Sequence, residues 1–177
     1  MNAVKSYSGS ATIYSMKQEI FEAISKVHEF FRNKGLTLSV AESCTGGLIS
    51  HFITALPGAG KFFTAGITAY SEEIKRSILG ISPDAISGYG VVSDEIAREM
   101  AEKVRLLSKT DYAVSATGNL GPDALEGKER GLVYIAAGRV GKTVSRELRL
   151  KGNRDENKEE AALAAMRLLI ELTEIQG

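Results

Sequence analysis

Segments with apolar residues at helical spacing alternate along this chain with short β-rich runs, and that alternation limits the fold more than any other feature. Ile20, Phe21, Ile24, Val27 and Phe31 recur every three or four residues, predicting a helix over 16–33 that Gly35 ends. A short apolar strand follows over 36–41, then a helix over 45–56 on the stripe Leu48, Ile49, Phe52, Ile53 and Leu56, closed by Pro57-Gly58. The β-rich run 62–70 predicts a second strand, 71–79 a short helix, and 81–90, with Pro83, Gly88 and Gly90, a loop. Ser93 is placed to cap a helix carrying Ile96, Met100, Val104 and Leu107, with Asp94 and Glu95 in its first turn. A third strand is expected over 112–116, and two more over 132–137 and 144–150 form a hairpin about 138–142. Asn153 with Glu156 three residues on reads as a capping box for a last helix facing inward through Ala161, Ala162, Ala165, Leu168, Leu169 and Leu172. Strands alternating with helices, plus one hairpin, predict a three-layer α/β/α sandwich around a mixed, mostly parallel sheet of about five or six strands.

Length and charge set the outer bounds. With 177 residues the chain suits one domain and buries about 70% of its unfolded surface. We expect residues 1–15, polar and aperiodic, to be a flexible leader or docking arm, and residues 16–177 to form the single domain. Twenty-two basic residues balance twenty-two acidic ones, so the electrostatic footprint of a nucleic-acid binder is missing. That balance does not oppose self-association, and a homo-oligomer, with a dimer favoured, is expected. A single cysteine, Cys44, excludes an intrachain disulfide and a cysteine-rich zinc site. No run approaches the roughly 18 apolar residues of a membrane span, and the first residues lack a secretory signal's apolar stretch, so a cytoplasmic protein with no membrane partner is expected.

The segment Ala41-Glu42-Ser43-Cys44-Thr45-Gly46-Gly47 stands where the first strand hands over to a helix, the sheet edge at which open α/β folds place ligands. Ser43 would end the strand as a nucleophile must, while the two glycines and the helix start offer backbone N–H groups to an anion or oxyanion. The same residues also make an ordinary tight turn with a Ser or Thr cap. Three other signatures fail. Pro57-Gly58-Ala59-Gly60-Lys61 lacks the first glycine and the metal-binding hydroxyl of a P-loop, since residues 55 and 62 are Ala and Phe. A hydrolase elbow would need glycines where Ala41 and Thr45 stand. His28 and His51, the only histidines, both fall within helices, which argues against a Ser-His-Asp site or a histidine metal site. Lys75, on the segment running off the second strand from Tyr70, is then the remaining base for Ser43. It must be desolvated or placed near positive charge to act, and the plain alternative is a solvated lysine paired with Glu72 or Glu73. Thr117-Gly118 offers a further hydroxyl and a pliant backbone at the presumed same edge, and Arg154 offers a phosphate clamp; a loop entry and a surface arginine are the plain readings.

Taken together, AESCTGG, AYSEEIK, Gly90-Val-Val-Ser93, Thr117-Gly118 with Gly121-Pro122, Gly131-Leu-Val-Tyr-Ile-Ala and Gly152-Asn-Arg154 resemble the CinA C-terminal domain family, in order and over about four fifths of the chain. Its characterised members are nicotinamide-nucleotide amidases, and the large N-terminal domain of full-length members is missing, which implies a standalone form. The resemblance implies deamidation of nicotinamide mononucleotide to nicotinate mononucleotide and ammonia, with no cofactor and no metal. It assigns Ser43 as nucleophile, Lys75 as general base and Tyr70 as a neighbouring helper. Backbone groups at Thr45, Gly46 and Gly47 would cradle the oxyanion or substrate, and Thr117, Gly118 and Arg154 would hold the nucleotide. Two stretches differ from the family's usual pattern: Asn119 to Arg130 lacks a Gly-Gly pair and the Lys-Pro-Val-Gly run, and Glu159 follows Lys158 where basic residues are usual. The alternative function is a nucleotide-binding module, an inactive or retargeted paralogue with the same pocket. RNA binding is the third, and the neutral charge balance speaks against it.

Overall fold

The computed structural model describes residues 8–122 and 126–175. Five strands form one sheet in the order β2-β1-β3-β4-β5: β1 (Leu38–Glu42), β2 (Phe63–Thr68), β3 (Tyr112–Gly118), β4 (Leu132–Arg139) and β5 (Lys142–Arg149). β1 pairs in parallel with both β2 and β3, while β4 runs antiparallel to β3 and to β5. Four of the five strands therefore point the same way, and β4 alone is reversed.

Alternate residues of β1 explain the layering. Leu38 and Val40 face a core built with α1 (Ser8–Lys34), α2 (Leu48–Thr54) and α6 (Arg154–Glu174), whereas Ala41 faces a second core with α4 (Pro83–Tyr89) and α5 (Asp94–Ser108). A strand buried on both faces has no side turned to water, so its polar side chains, Ser39 and Glu42, are held by hydrogen bonds within the protein. In the first core Phe31 of α1 stacks on Phe62 at 5.5 Å and meets Tyr112 edge-on at 5.4 Å, which ties α1 to the N-terminal ends of β2 and β3. The expected three-layer α/β/α sandwich with a mixed sheet is the observed architecture.

Local differences have local causes. The first helix begins at Ser8 rather than at residue 16, because its first two turns are helical without an apolar period to reveal them; the rest of the expected leader, residues 1–7, lies outside the described residues. The segment 81–90 is not a loop but contains α4. Ser82 accepts from the Ala85 N–H, Pro83 takes the first helical position, and Gly90, at φ 77°, ends the helix. The helix expected from residue 45 starts only at Leu48, and β3 extends to Gly118. Ser93 accepts from the Ile96 N–H, and Asn153 with Glu156 closes a full capping box on α6.

Candidate active site

Parallel register puts the C-terminal ends of β1, β2 and β3 level, since Glu42 faces Thr68 on one side and Ala116 on the other. The chain leaves each strand into a turn, and those turns surround a cavity of about 250 Å³. Ser43, Cys44, Tyr70, Lys75, Thr117, Gly118 and Arg154 line it, together with Val91 and Val92 and the stretch from Asn119 to Pro122.

Ser43 is fixed by its own N–H, which donates to Ala116 O at 2.9 Å, so the nucleophile candidate is still stitched to the sheet. Lys75 arrives on α3 (Glu72–Ser77), a short helix whose N-cap Ser71 accepts from the Ile74 N–H at 3.2 Å. The lysine points inward and is 1% exposed. Its Nζ donates to Ser43 Oγ at 2.9 Å and to Ala69 O at 3.0 Å. Burial pushes the Lys75 pKa from 10.5 down to about 8, although the carboxylates of Glu126 and Glu72 work the other way. A solvated lysine paired with Glu72 or Glu73 is therefore not what forms; Glu72 instead faces Arg76 at 4.0 Å.

Nothing in its sequence context marks Glu42 as special, yet it organises the turn. It is fully buried, and its carboxylate accepts five hydrogen bonds. Oε2 takes Thr45 Oγ1 at 2.7 Å and the N–H groups of Gly47 and Ile49 at 3.0 Å; Oε1 takes the Ser50 N–H at 2.9 Å and Ser50 Oγ at 2.7 Å. The start of α2 thus receives its anion from the chain itself. Of the backbone cradle expected at Thr45, Gly46 and Gly47, two N–H groups are already engaged. The Thr45 hydroxyl and the Gly47 N–H are spent on Glu42, the Gly46 N–H on Ser43 O at 3.0 Å, and none of the three residues lines the cavity. Gly47 is needed for its left-handed backbone, φ 97°, which turns α2 back over the carboxylate.

The other expected residues divide between wall and mouth. Thr117 Oγ1 donates to Val91 O at 2.7 Å, so its hydroxyl holds the opposite wall. Gly118 is a matter of space: a Cβ there would lie 2.7 Å from Val133 Cγ2 and 2.8 Å from Leu132 O. Tyr70 is 59% exposed at the mouth, where its hydroxyl accepts from Arg154 Nη2 at 2.9 Å. Arg154 Nη1 donates to Gly121 O at 2.7 Å, so one guanidinium spans the opening from Tyr70 to Gly121. Burial pushes the Cys44 thiol up to about 12, despite nearby Lys75, which makes it a poor nucleophile beside Ser43. His28 is buried with Nε2 2.8 Å from Ile53 O, and His51 is exposed on α2. Among the described residues no group of three or more His, Cys, Asp or Glu side chains is placed to hold a metal ion, and no helix is long and apolar enough to cross a membrane.

Comparison with known proteins places the chain by sequence and fold. The model of the CinA C-terminal domain matches residues 21–173. A competence-damage inducible protein of Caldanaerobacter subterraneus subsp. tengcongensis is 44% identical over 144 residues, covering 81% of this chain and 34% of the relative. Its counterpart in Bacillus subtilis is 38% identical over 143 residues, with the same coverage of 81% and 34%. The chain thus spans about a third of the length of these curated relatives. Among solved structures, the competence damage-inducible protein A of Klebsiella pneumoniae superposes with a TM-score of 0.86 at 26% identity, covering 89% of this chain and 99% of that one. The competence/damage inducible protein of Agrobacterium tumefaciens gives 0.84 at 32% identity, covering 88% and 96%. Matched over most of its length in both sequence and fold, the chain belongs to the CinA C-terminal domain family.

Proposed function

We propose that this protein is an amidohydrolase that deamidates nicotinamide mononucleotide, with Ser43 as nucleophile and Lys75 as its base. The observation that carries the reading is the 2.9 Å contact between Lys75 Nζ and Ser43 Oγ in a cavity with an arginine at its mouth. A neutral amine has two N–H donors and one lone pair. With one N–H on Ala69 O, the lone pair is left to accept the serine proton. Burial already brings the lysine near neutrality, so the protein has met part of the cost of an uncharged base before substrate arrives.

In the first step the Ser43 Oγ–carbonyl carbon bond forms and the serine proton passes to Lys75. The tetrahedral oxyanion develops beside Cys44, which lines the cavity next to Ser43, and a main-chain N–H is the donor such an anion needs there. Collapse breaks the C–N bond, and Lys75 returns the proton so that nitrogen leaves as ammonia. Water then attacks the acyl carbon, gives its proton to Lys75, and Ser43 Oγ departs with that proton restored. Arg154 has five N–H donors, and those beyond its contacts to Tyr70 and Gly121 suit the nucleotide phosphate at the mouth.

The test is incubation with nicotinamide mononucleotide and measurement of ammonia and nicotinate mononucleotide. Stoichiometric release that disappears in Ser43→Ala supports the proposal. Tight nucleotide binding without turnover by the unmodified protein would replace it with the binding-module reading.

A further inference from the structure

One wall of the cavity, Val91 and Val92, lies between α4 and α5 outside any helix or strand, yet side chains from elsewhere hold its backbone. The Val91 N–H donates to Glu126 Oε1 at 2.9 Å, and Val91 O accepts from Thr117 Oγ1. Lys128 Nζ donates to Tyr89 O at 2.9 Å and to Val92 O, and it faces Glu126 Oε2 at 3.4 Å. Asn119 braces that lysine's own backbone: Nδ2 donates to Lys128 O at 3.0 Å while Oδ1 accepts from the Gly121 N–H at 3.0 Å. The wall is shaped to receive the carboxylate, because a Cβ at Gly90 would lie 2.3 Å from Glu126 Oε2. A surface lysine that only solvates itself does not spend its donors on two carbonyls three residues apart and on one carboxylate.

We propose that Glu126 and Lys128 are a positioning clamp for the Ser43–Lys75 site, holding the segment from Tyr89 to Val92 as the cavity wall and setting the charge around Lys75. The proposal rests on the Ser/Lys reading above. The groups that act on Lys75 are Cys44 from the turn after β1, Glu72 from α3 and Glu126 from the β3–β4 connection. Glu126 favours the protonated lysine, and Lys128 sets the opposite charge 3.4 Å from that carboxylate. The clamp therefore reaches the base through charge and the ligand through the position of the wall.

The two tasks separate in two variants, read with a small fluorophosphonate. In that reaction the Ser43 Oγ–P bond forms, the P–F bond breaks with loss of fluoride, and the serine proton goes to Lys75. The labelling rate is followed against pH, with Ser43→Ala as the unlabelled control, and amide hydrogen exchange is followed at Val91. Glu126→Gln keeps an oxygen for the Val91 N–H but removes the charge, so its rising limb shifts to lower pH. Lys128→Met leaves Glu126 uncompensated, so its limb shifts to higher pH; with two wall carbonyls stripped of their donor, labelling slows and Val91 exchange quickens, each by about tenfold. Limbs that move in the same direction, or that stay with the wild type, overturn the proposal. If the wild type is not labelled at Ser43, the Ser/Lys reading fails on its own, and Val91 exchange still decides the clamp: unchanged exchange in Lys128→Met refutes it.

Discussion

Lys75 Nζ reaches Ser43 Oγ at 2.9 Å across 32 residues of sequence, and it does so through the interior, with the lysine 1% exposed. Burial of that kind is costly for a cation. It is what brings the Lys75 pKa down to about 8, and it makes the pair sensitive to anything that changes its surroundings.

Removing either partner should therefore stop the reaction. Ser43→Ala and Lys75→Ala are each expected to lower ammonia release from nicotinamide mononucleotide by about a thousandfold or more, and the double variant to add little, since the two act as one unit. Ser43→Ala should keep its stability within about 1 kcal/mol, because the loss is one hydroxyl. Chemical denaturation alongside the rate assay separates the two effects.

Activity should rise with pH through a midpoint near 8, as Lys75 loses its proton, rather than near the free value of 10.5. Stability carries the same signature with a definite sign. Between about 8 and 10.5 the unfolded chain holds the lysine proton and the folded chain does not, so stability rises with pH across that window and is flat below it. Relative to Lys75→Met, the wild type should gain on the order of 3 kcal/mol over the window. Urea unfolding of both proteins at pH 7, 9 and 10.5 measures it, and parallel curves would refute the assigned burial.

Glu42→Gln tests the buried carboxylate. Whichever oxygen becomes an amide nitrogen, it is turned against hydrogen-bond donors of Thr45, Gly47 and Ile49, or against those of Ser50. A loss of at least about 2 kcal/mol in unfolding free energy is expected, with reduced turnover because Ser43 is the next residue. A variant as stable as the wild type would show that the turn does not depend on this charge.

Arg154→Ala should act on affinity. With phosphate held alike in ground and transition states, KM is expected to rise about 10- to 100-fold at nearly constant kcat. Arg154→Lys should recover little, because a point ammonium cannot span Tyr70 Oη and Gly121 O as the planar fork does. Steady-state kinetics on the two variants checks both statements.

Features that depend on a few neighbouring residues are legible in the amino-acid order alone. Ser93 and the Asn153–Glu156 box cap their helices as expected, the hairpin turns at Val140-Gly141, and Ser43, Tyr70 and Thr117 fall at one sheet edge because three successive strands are parallel. The helix inside 81–90 escapes such a reading because Gly88 interrupts a segment of only two turns, although Ser82-Pro83 marks its start. The engagement of the Gly46 and Gly47 N–H groups escapes it for a different reason. In sequence, a helix start shows donors in need of an acceptor, and nothing local says that Glu42 will fold back to supply it.

The alternation of elements, their caps, and the residues available at the ends of the strands are set by amino-acid order, since these follow from periodicity and local hydrogen bonding. Tertiary structure alone decided which of those residues meet and in what charge state. Spacing left Lys75 as an ordinary lysine beside two glutamates. Packing buried it against Ser43 and Ala69 O, and withdrawal from water, a property of everything around the residue rather than of its neighbours in the chain, is what shifts its proton.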